Sequence, residues 1–217
     1  MTLAYGTDRL ESTRLVLRRI AEDDLSFFVR LHSIPAVTRY LYPGGQPRSP
    51  EWTEAWLRAT LVSYEQLRLG CLAVVRREDG ALIGRCGLTD LAVDVTAEPA
   101  MRRGWFDRRN APAGVSLCFE CELGFTFDPS FWGQGYATEA ARCVRDCAGD
   151  VLGLSRLVSV ILPANARSRQ VAERAGARWG GQTEVIGLTW DRLVWPLVWP
   201  LVWPLATNAE TRQPDSA

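Results

Sequence analysis

The chain of 217 residues carries 25 basic and 25 acidic side chains, a balance that leaves no global field to attract nucleic acid or an anionic membrane, so any anionic ligand needs a local site. At 47% hydrophobic and 23% charged it has the composition of a globular chain long enough for one sizeable core, which excludes a largely disordered or collagen-like polymer. Every basic residue is arginine, which excludes a Schiff-base lysine and a lysine-based phosphate loop.

The start, Met1-Thr2-Leu3-Ala4-Tyr5-Gly6-Thr7-Asp8, has no basic segment followed by an apolar run, and no leader peptide is expected. No uninterrupted apolar stretch approaches the roughly 18 residues of a membrane span. The six cysteines are thinly spread in a chain too large to need a disulfide framework, which points to a reducing cytoplasm.

Arg14-Leu15-Val16-Leu17-Arg18 alternates as a half-buried strand does. Behind an acidic first turn, Leu25, Phe28, Val29 and His32 have helical spacing over residues 22–32. A second helix follows, with Ser49 as its N-cap, Pro50 at its first position, and Trp52, Ala55, Trp56 and Ala59 on one face. Trp52, Trp56, Tyr40 and Tyr42 either line an aromatic cleft or form core.

Two apolar runs, 71–75 and 81–88, flank Glu78-Asp79-Gly80 and read as a hairpin. From Ala92 to Ala113 the pattern lapses, with Arg102, Arg103, Arg108 and Arg109 around Trp105 and Phe106, and a long loop is expected. A strand from about Val115 to Phe127 leads into Trp132-Gly133-Gln134-Gly135-Tyr136-Ala137. Residues 137–152 then repeat at helical spacing. Leu157 to Leu162 reads as a strand, and Asn165 to Ala175 as a short helix stopped by Gly176. Strand, turn, helix, strand and helix in succession indicate an α/β unit with parallel strands.

Three copies of one unit end the apolar sequence: Val194-Trp195-Pro196-Leu197, Val198-Trp199-Pro200-Leu201 and Val202-Trp203-Pro204-Leu205. Proline at every fourth position excludes a continuous helix and a central strand. The first copy is expected to end the last strand. The other two read as slippage of a coding repeat or as a docking peptide. A single domain over 8–205 and a disordered tail over 206–217 are expected.

The turn after the long strand offers chemistry. Gly133 and Gly135 let the backbone turn tightly and approach a ligand, and the amides that open the next helix lack intrahelical partners. Backbone alone thus supplies an anion site, with no lysine required. A Gly-x-Gly turn by itself also occurs where a chain merely changes direction.

Its wider setting carries more. Glu122-Leu123-Gly124-Phe125, the run from Pro129-Ser130-Phe131-Trp132 to Ala137-Thr138-Glu139-Ala140, Asn165-Ala166-Arg167-Ser168 and Gly176 resemble the GNAT N-acetyltransferase superfamily. The opening Thr13-Arg14-Leu15-Val16-Leu17-Arg18 is similar to the branch that contains ribosomal-protein alanine N-acetyltransferases. The resemblance spans about residues 8–195. It implies an α/β GNAT fold: a mixed sheet of six to seven strands, splayed between the strand ending near Phe127 and the one from Leu157, flanked by about four helices.

The resemblance further implies acetyl-CoA as co-substrate, an amine acceptor, no metal, and a monomer or homodimer. The CoA-binding positions carried over are Phe127, Trp132, Gly133, Gln134, Gly135, Tyr136, Ala137, Thr138, Asn165 and Ser168. Trp132 stands where many superfamily members have Gln or Arg. Asn165 also reads as a helix N-cap. The tyrosine that protonates the leaving thiolate in many members is replaced by Ala172, and Ser168 matches a serine proposed for that step in this branch. Because a serine hydroxyl is weakly acidic, its role is a hydrogen bond or a relay through water.

Glu120 and Glu122 lie two apart on the long strand and share a face, where carboxylates are costly to bury unless paired or functional. Glu122 matches the family glutamate and ranks first as acceptor-binding group or general base; the alternative is an ion pair with an arginine. Cys118 and Cys121, three apart, point to opposite faces and make a poor zinc pair. The single histidine, His32, belongs to an amphipathic pattern. Two other readings keep the turn: a CoA-binding sensor without catalysis, and a nucleotide-binding α/β protein. The second lacks both an acidic residue about 20 positions after the glycines and a Gly-Lys-Ser/Thr sequence.

Overall fold

The computed structural model of the chain describes residues 9–41, 44–66, 70–96, 103–106, 111–185 and 187–197. Tyr42, Arg102, Arg108, Arg109, the second and third repeat copies and the expected tail lie outside the described residues.

Strand β1 (Arg9–Glu11) pairs antiparallel with β2 (Leu15–Arg19), and β2 with β3 (Cys71–Arg76). The β3 strand and β4 (Leu82–Asp94) form the expected hairpin. The other edge of β4 pairs with β6 (Leu117–Phe127) from Gly84↔Phe127 to Asp94↔Leu117. Parallel to β6 runs β7 (Arg156–Ile161), registered only at Glu122↔Val158. Beyond that rung the two strands part, which is the expected splay.

The sheet then continues from β7 to β9 (Leu188–Pro196), on to β8 (Arg178–Val185), and finally to β5 (Arg103–Trp105), which returns to β4. Strands β4, β6, β7, β9, β8 and β5 therefore close a ring. Its interior holds Leu91, Val93, Val158, Val160, Val185 and Trp190.

Among the described residues there are nine strands, where six or seven were expected; the three-residue β1 and β5 account for the excess. The expected loop from Ala92 is corrected as well. The β4 strand runs on to Asp94, and β5 lies within the segment. The β5 strand is a strand because β4 and β8 flank it, and it is too short to carry a period of its own. Its Gly104 fits because a Cβ there would already crowd Val185 and Leu91 at 3.2 and 3.4 Å.

One sheet face is covered by α4 (Tyr136–Asp150) and α5 (Ala166–Arg174). The α4 helix buries Ala140, Ala141, Val144 and Ala148 against Leu17, Val74, Leu88 and Leu123, so its small residues let it sit close to the strands. On the other face lie α1 (Leu25–His32) and α3 (Pro50–Gln66), linked through the short α2 (Pro35–Thr38). Phe27, Phe28, Leu31 and Leu57 pack there with Ile20, Cys71 and Ala73. The Ser49 hydroxyl accepts the Trp52 N–H at 3.2 Å, the expected cap of α3. Residues 22–24 form a 3-10 turn before α1 rather than its first turn. The first repeat copy does end β9: Trp195 is 0% exposed, and the Leu197 N–H donates to the Ser155 carbonyl at 3.2 Å.

Candidate active site

The turn from Trp132 to Thr138 joins β6 to α4. Gly133 and Gly135 take φ values of 76° and 82°, a left-handed conformation that side chains disfavour, and Gly135 is the N-cap residue of α4. The helix starts at Tyr136, so the amides of Gly135, Tyr136, Ala137 and Thr138 lie in the turn where intrahelical acceptors run out. Gly133, Gln134 and Gly135 are exposed. A Cβ on Gly133 would meet nothing within 4 Å, so this glycine serves backbone conformation and leaves the approach to the turn open.

Arg14 clamps the turn from the start of β2. Its Nη1 donates to the Gln134 carbonyl at 3.0 Å, and its Nε donates to Glu139 at 2.7 Å. The guanidinium also sits 4.4 Å from the Tyr136 ring centre. Burial pushes the Glu139 pKa up, but hydrogen bonds from the Arg14 N–H and the Ser12 hydroxyl, with the Arg14 charge, outweigh it and hold Glu139 below the usual carboxylate range. The alternating motif that contains Arg14 assigns it no task of its own.

Asn165 caps α5, its Oδ1 accepting the Ser168 N–H at 3.2 Å, so the cap reading holds. Ser168 is half-buried in the first turn of α5, and Ala172 is fully buried, so that position offers no hydroxyl. The Arg167 guanidinium lies 5.3 Å from the Trp132 ring centre, which ties the α5 start to the glycine turn. Trp132 Nε1 donates to the Phe127 carbonyl at 2.8 Å. The Phe127 side chain, 4% exposed, belongs to the core under α4, which leaves its backbone as the part that faces the turn.

Leu123 and Phe127 point to the α4 face, so Glu122 points to the other. Thr89, its partner across β4, donates its hydroxyl to Glu122 Oε2 at 2.9 Å. Glu122 is half-buried as a residue, and its carboxyl faces the Thr89 hydroxyl and the Val160 N–H. Burial raises its pKa above the usual carboxylate range; the Thr89 hydroxyl, the charge of Arg85 and a hydrogen bond from the Val160 N–H offset this only in part. Sequence reasoning did not single out Thr89 or Arg85. The alternation within 81–94, once paired with β6, would have placed both on the Glu122 face.

Glu120 is different. At 8% exposure it accepts hydrogen bonds from Arg156 Nη2 at 3.1 Å and Arg192 Nη2 at 2.6 Å, the ion-pair alternative raised for these carboxylates. A buried hydroxyl fixes the rung where β6 and β7 part: Ser159 Oγ donates to the Leu123 carbonyl at 2.5 Å and accepts from Trp195 Nε1 at 2.9 Å.

Other candidates fall away. His32 is fully buried, and burial, with the charges of Arg85 and Arg48, lowers its pKa to about 3, which makes it a weak base. Burial raises the Cys121 thiol to about 12, so it is not a thiolate near neutrality. Cys118 packs toward the ring and Cys121 toward the α4 core, on opposite faces as expected. Among the described residues no group of three or more His, Cys, Asp or Glu could hold a metal ion, and no helix is long and apolar enough to cross a membrane.

Comparison with known proteins agrees with this geometry. The family model of the acetyltransferase (GNAT) domain matches residues 14–178. The protein YkkB of Bacillus subtilis is 36% identical over 172 residues, 79% of this chain and 86% of its own length. An acetyltransferase from Agrobacterium tumefaciens superposes with a TM-score of 0.65 at 26% identity, covering 86% of this chain and 93% of that one. Mycobacterium smegmatis RimJ, solved in complex with CoA-disulfide, shares the fold at a TM-score of 0.62 and 19% identity, covering 89% of this chain and 88% of its own. The chain belongs to the GNAT acetyltransferase family and is an acyl-CoA-dependent N-acetyltransferase.

Proposed function

We propose that the protein transfers an acetyl group from acetyl-CoA to a primary amine, a protein N-terminus or a small-molecule amine, by direct attack in a ternary complex. The observation that carries this is Glu122, a carboxyl of raised pKa on the last rung before β6 and β7 part. The pyrophosphate would rest on the amides of Gln134 to Ala137, with Thr138 at the same helix start, and the pantetheine arm would run through the splay toward Asn165 and Ser168. RimJ of M. smegmatis, with the same fold, was solved with CoA-disulfide.

The amine nitrogen forms the new C–N bond to the thioester carbonyl carbon as the C–S bond breaks. Its proton passes to the Glu122 carboxylate, directly or through water, and the thiolate of CoA takes up a proton, with the Ser168 hydroxyl as hydrogen-bond donor. An α-amino group has a pKa near 8, so a base of modest strength suffices. Most of the acceleration comes from holding amine and carbonyl in contact while backbone amides polarise the carbonyl. Thiol release from acetyl-CoA with a panel of N-terminal peptides, polyamines, aminoglycosides and amino acids tests this. Amine-dependent release is expected with at least one class, and the absence of release with every class would overturn the reading.

A further inference from the structure

We propose that Ser159 is a positioning residue for acetyl transfer: its hydroxyl occupies the Leu123 carbonyl, which ends the β6–β7 pairing and leaves the Val160 N–H to the Glu122 carboxyl. The inference rests on the reading of Glu122 as the group that takes the amine proton. In a parallel ladder, a residue of one strand bonds through its N–H and carbonyl to the two residues that flank its partner. With Glu122 opposite Val158, the next bond in line joins the Val160 N–H to the Leu123 carbonyl. Pairing stops at Glu122↔Val158, so that rung is not formed. Side chains take both groups instead. Ser159 Oγ donates to the Leu123 carbonyl at 2.5 Å, and the Val160 N–H donates to the Glu122 carboxyl.

The two side chains reach the broken rung from opposite faces of the sheet. Ser159 alternates with Leu157 and Ile161, which point into the core under α4, and it is 2% exposed. Trp195, buried in the same core, donates Nε1 to Ser159 Oγ at 2.9 Å. An indole N–H is a donor only, so it fills the acceptor side of the hydroxyl and directs the hydroxyl proton to the Leu123 carbonyl. On the other face, the Glu122 carboxyl extends along β6 over Gly124, where a Cβ would lie 3.7 and 3.9 Å from its two oxygens. Gly124 stands level with Val160, so the carboxyl covers the place where pairing fails.

Removing the Ser159 hydroxyl strips the Leu123 carbonyl of its donor, and a buried carbonyl without a donor is costly. The donor in line with it is the Val160 N–H. Pairing then extends by one rung, and Glu122 loses an N–H that favours its charged form. The other groups around Glu122 keep their places. From β4 come the Thr89 hydroxyl and the charge of Arg85, and behind Arg85 the His32 ring of α1, with its pKa lowered to about 3, is uncharged near neutrality. On β6, Glu120 is held by Arg156 and Arg192, while Cys121, with Asp90 across from it on β4, lies on the opposite face.

Three variants separate this role from bulk stability, read out as kcat/KM for acetyl-CoA against pH with an accepted amine. Ser159→Ala should move the acidic limb upward by about one pH unit, the worth of one hydrogen bond to a charged group. Ser159→Thr keeps the hydroxyl and should restore the limb. Trp195→Phe removes only the indole donor, so it should lower Tm and leave the limb in place. A limb that stays put in Ser159→Ala, is not restored in Ser159→Thr, or moves as far in Trp195→Phe overturns the proposal. Should Ser159→Ala not fold, Ser159→Cys, a weaker donor of nearly the same size, must move the limb the same way. If no amine is acetylated, or the unaltered protein shows no acidic limb, the base reading of Glu122 fails, and the NMR shift of the Val160 amide decides the role of Ser159 by itself. That shift must titrate with Glu122 in the unaltered protein and lose the titration in Ser159→Ala or Ser159→Cys; titration in neither protein, or alike in both, overturns the proposal.

Discussion

Glu120 and Glu122 are the same residue type, two apart on one strand and pointing to one face, yet their surroundings differ in kind. Glu120 meets two guanidinium groups. Glu122 meets a hydroxyl and a backbone N–H, with Arg85 acting through its charge. The first carboxylate is locked as a charged strut. Burial raises the proton affinity of the second, and among the described residues no ion pair offsets it. A carboxylate becomes a base when its site solvates it incompletely, and neighbouring strands decide that.

The sharpest break in the comparison is kinetic. Glu122→Gln should lower kcat about a hundredfold, the lower end of the range for general acid–base groups, and leave the Kd for CoA within about twofold. Glu122 works as a base only when deprotonated. Activity should therefore fall as pH drops through a pKa above that of an ordinary glutamate, and Glu122→Gln should remove that acidic limb. An unchanged kcat and pH profile would falsify the base role. Stability should move the other way. A carboxyl whose folded pKa is raised contributes stability at pH below its unfolded pKa and loses it as pH rises through the folded value. At neutral pH the charged carboxylate is thus a cost, and Glu122→Gln should raise Tm slightly.

Glu120→Gln sharpens the contrast from the other side. It leaves two guanidinium charges without their buried counter-charge, and a loss of roughly 2 kcal/mol, or about 4–8 °C in Tm, is expected by thermal denaturation. A Tm equal to or above that of the unaltered protein would show that the strut does not hold the strands.

Gly135→Val moves the comparison to the turn. A β-branched residue at a φ of 82° costs about 1–2 kcal/mol, so CoA affinity should drop roughly tenfold by calorimetry, with kcat at saturation little altered. The smallest effect belongs to Arg167→Ala. Its stacking on Trp132 is worth about 0.5–1 kcal/mol, predicting a two- to fivefold weaker CoA affinity; no change would confine the contact to the surface.

Much of this was legible in advance because it is local. The left-handed glycines, the Ser49 and Asn165 caps, and the alternation that sets Glu122 and Phe127 on opposite faces are properties of a few consecutive residues. The β5 strand and the length of β4 were not legible, since Arg103–Trp105 is a strand only through β8 and β4 beside it. Ser159 and Trp195 were legible as β-strand residues but not as the pair that fixes the rung.

By itself, the sequence determined the backbone turn, the helix caps and the shared face of Glu120 and Glu122, because periodicity and turn chemistry are written in short windows. The ranking of Glu122 above Glu120 came from the family resemblance of its motif. Tertiary structure alone decided which carboxylate the arginines neutralise, where β6 and β7 part, and that Arg14 braces the turn. Those outcomes depend on residues brought together from distant parts of the chain, such as Arg14 with Glu139 and Glu120 with Arg192, and no local pattern encodes a charge balance between them.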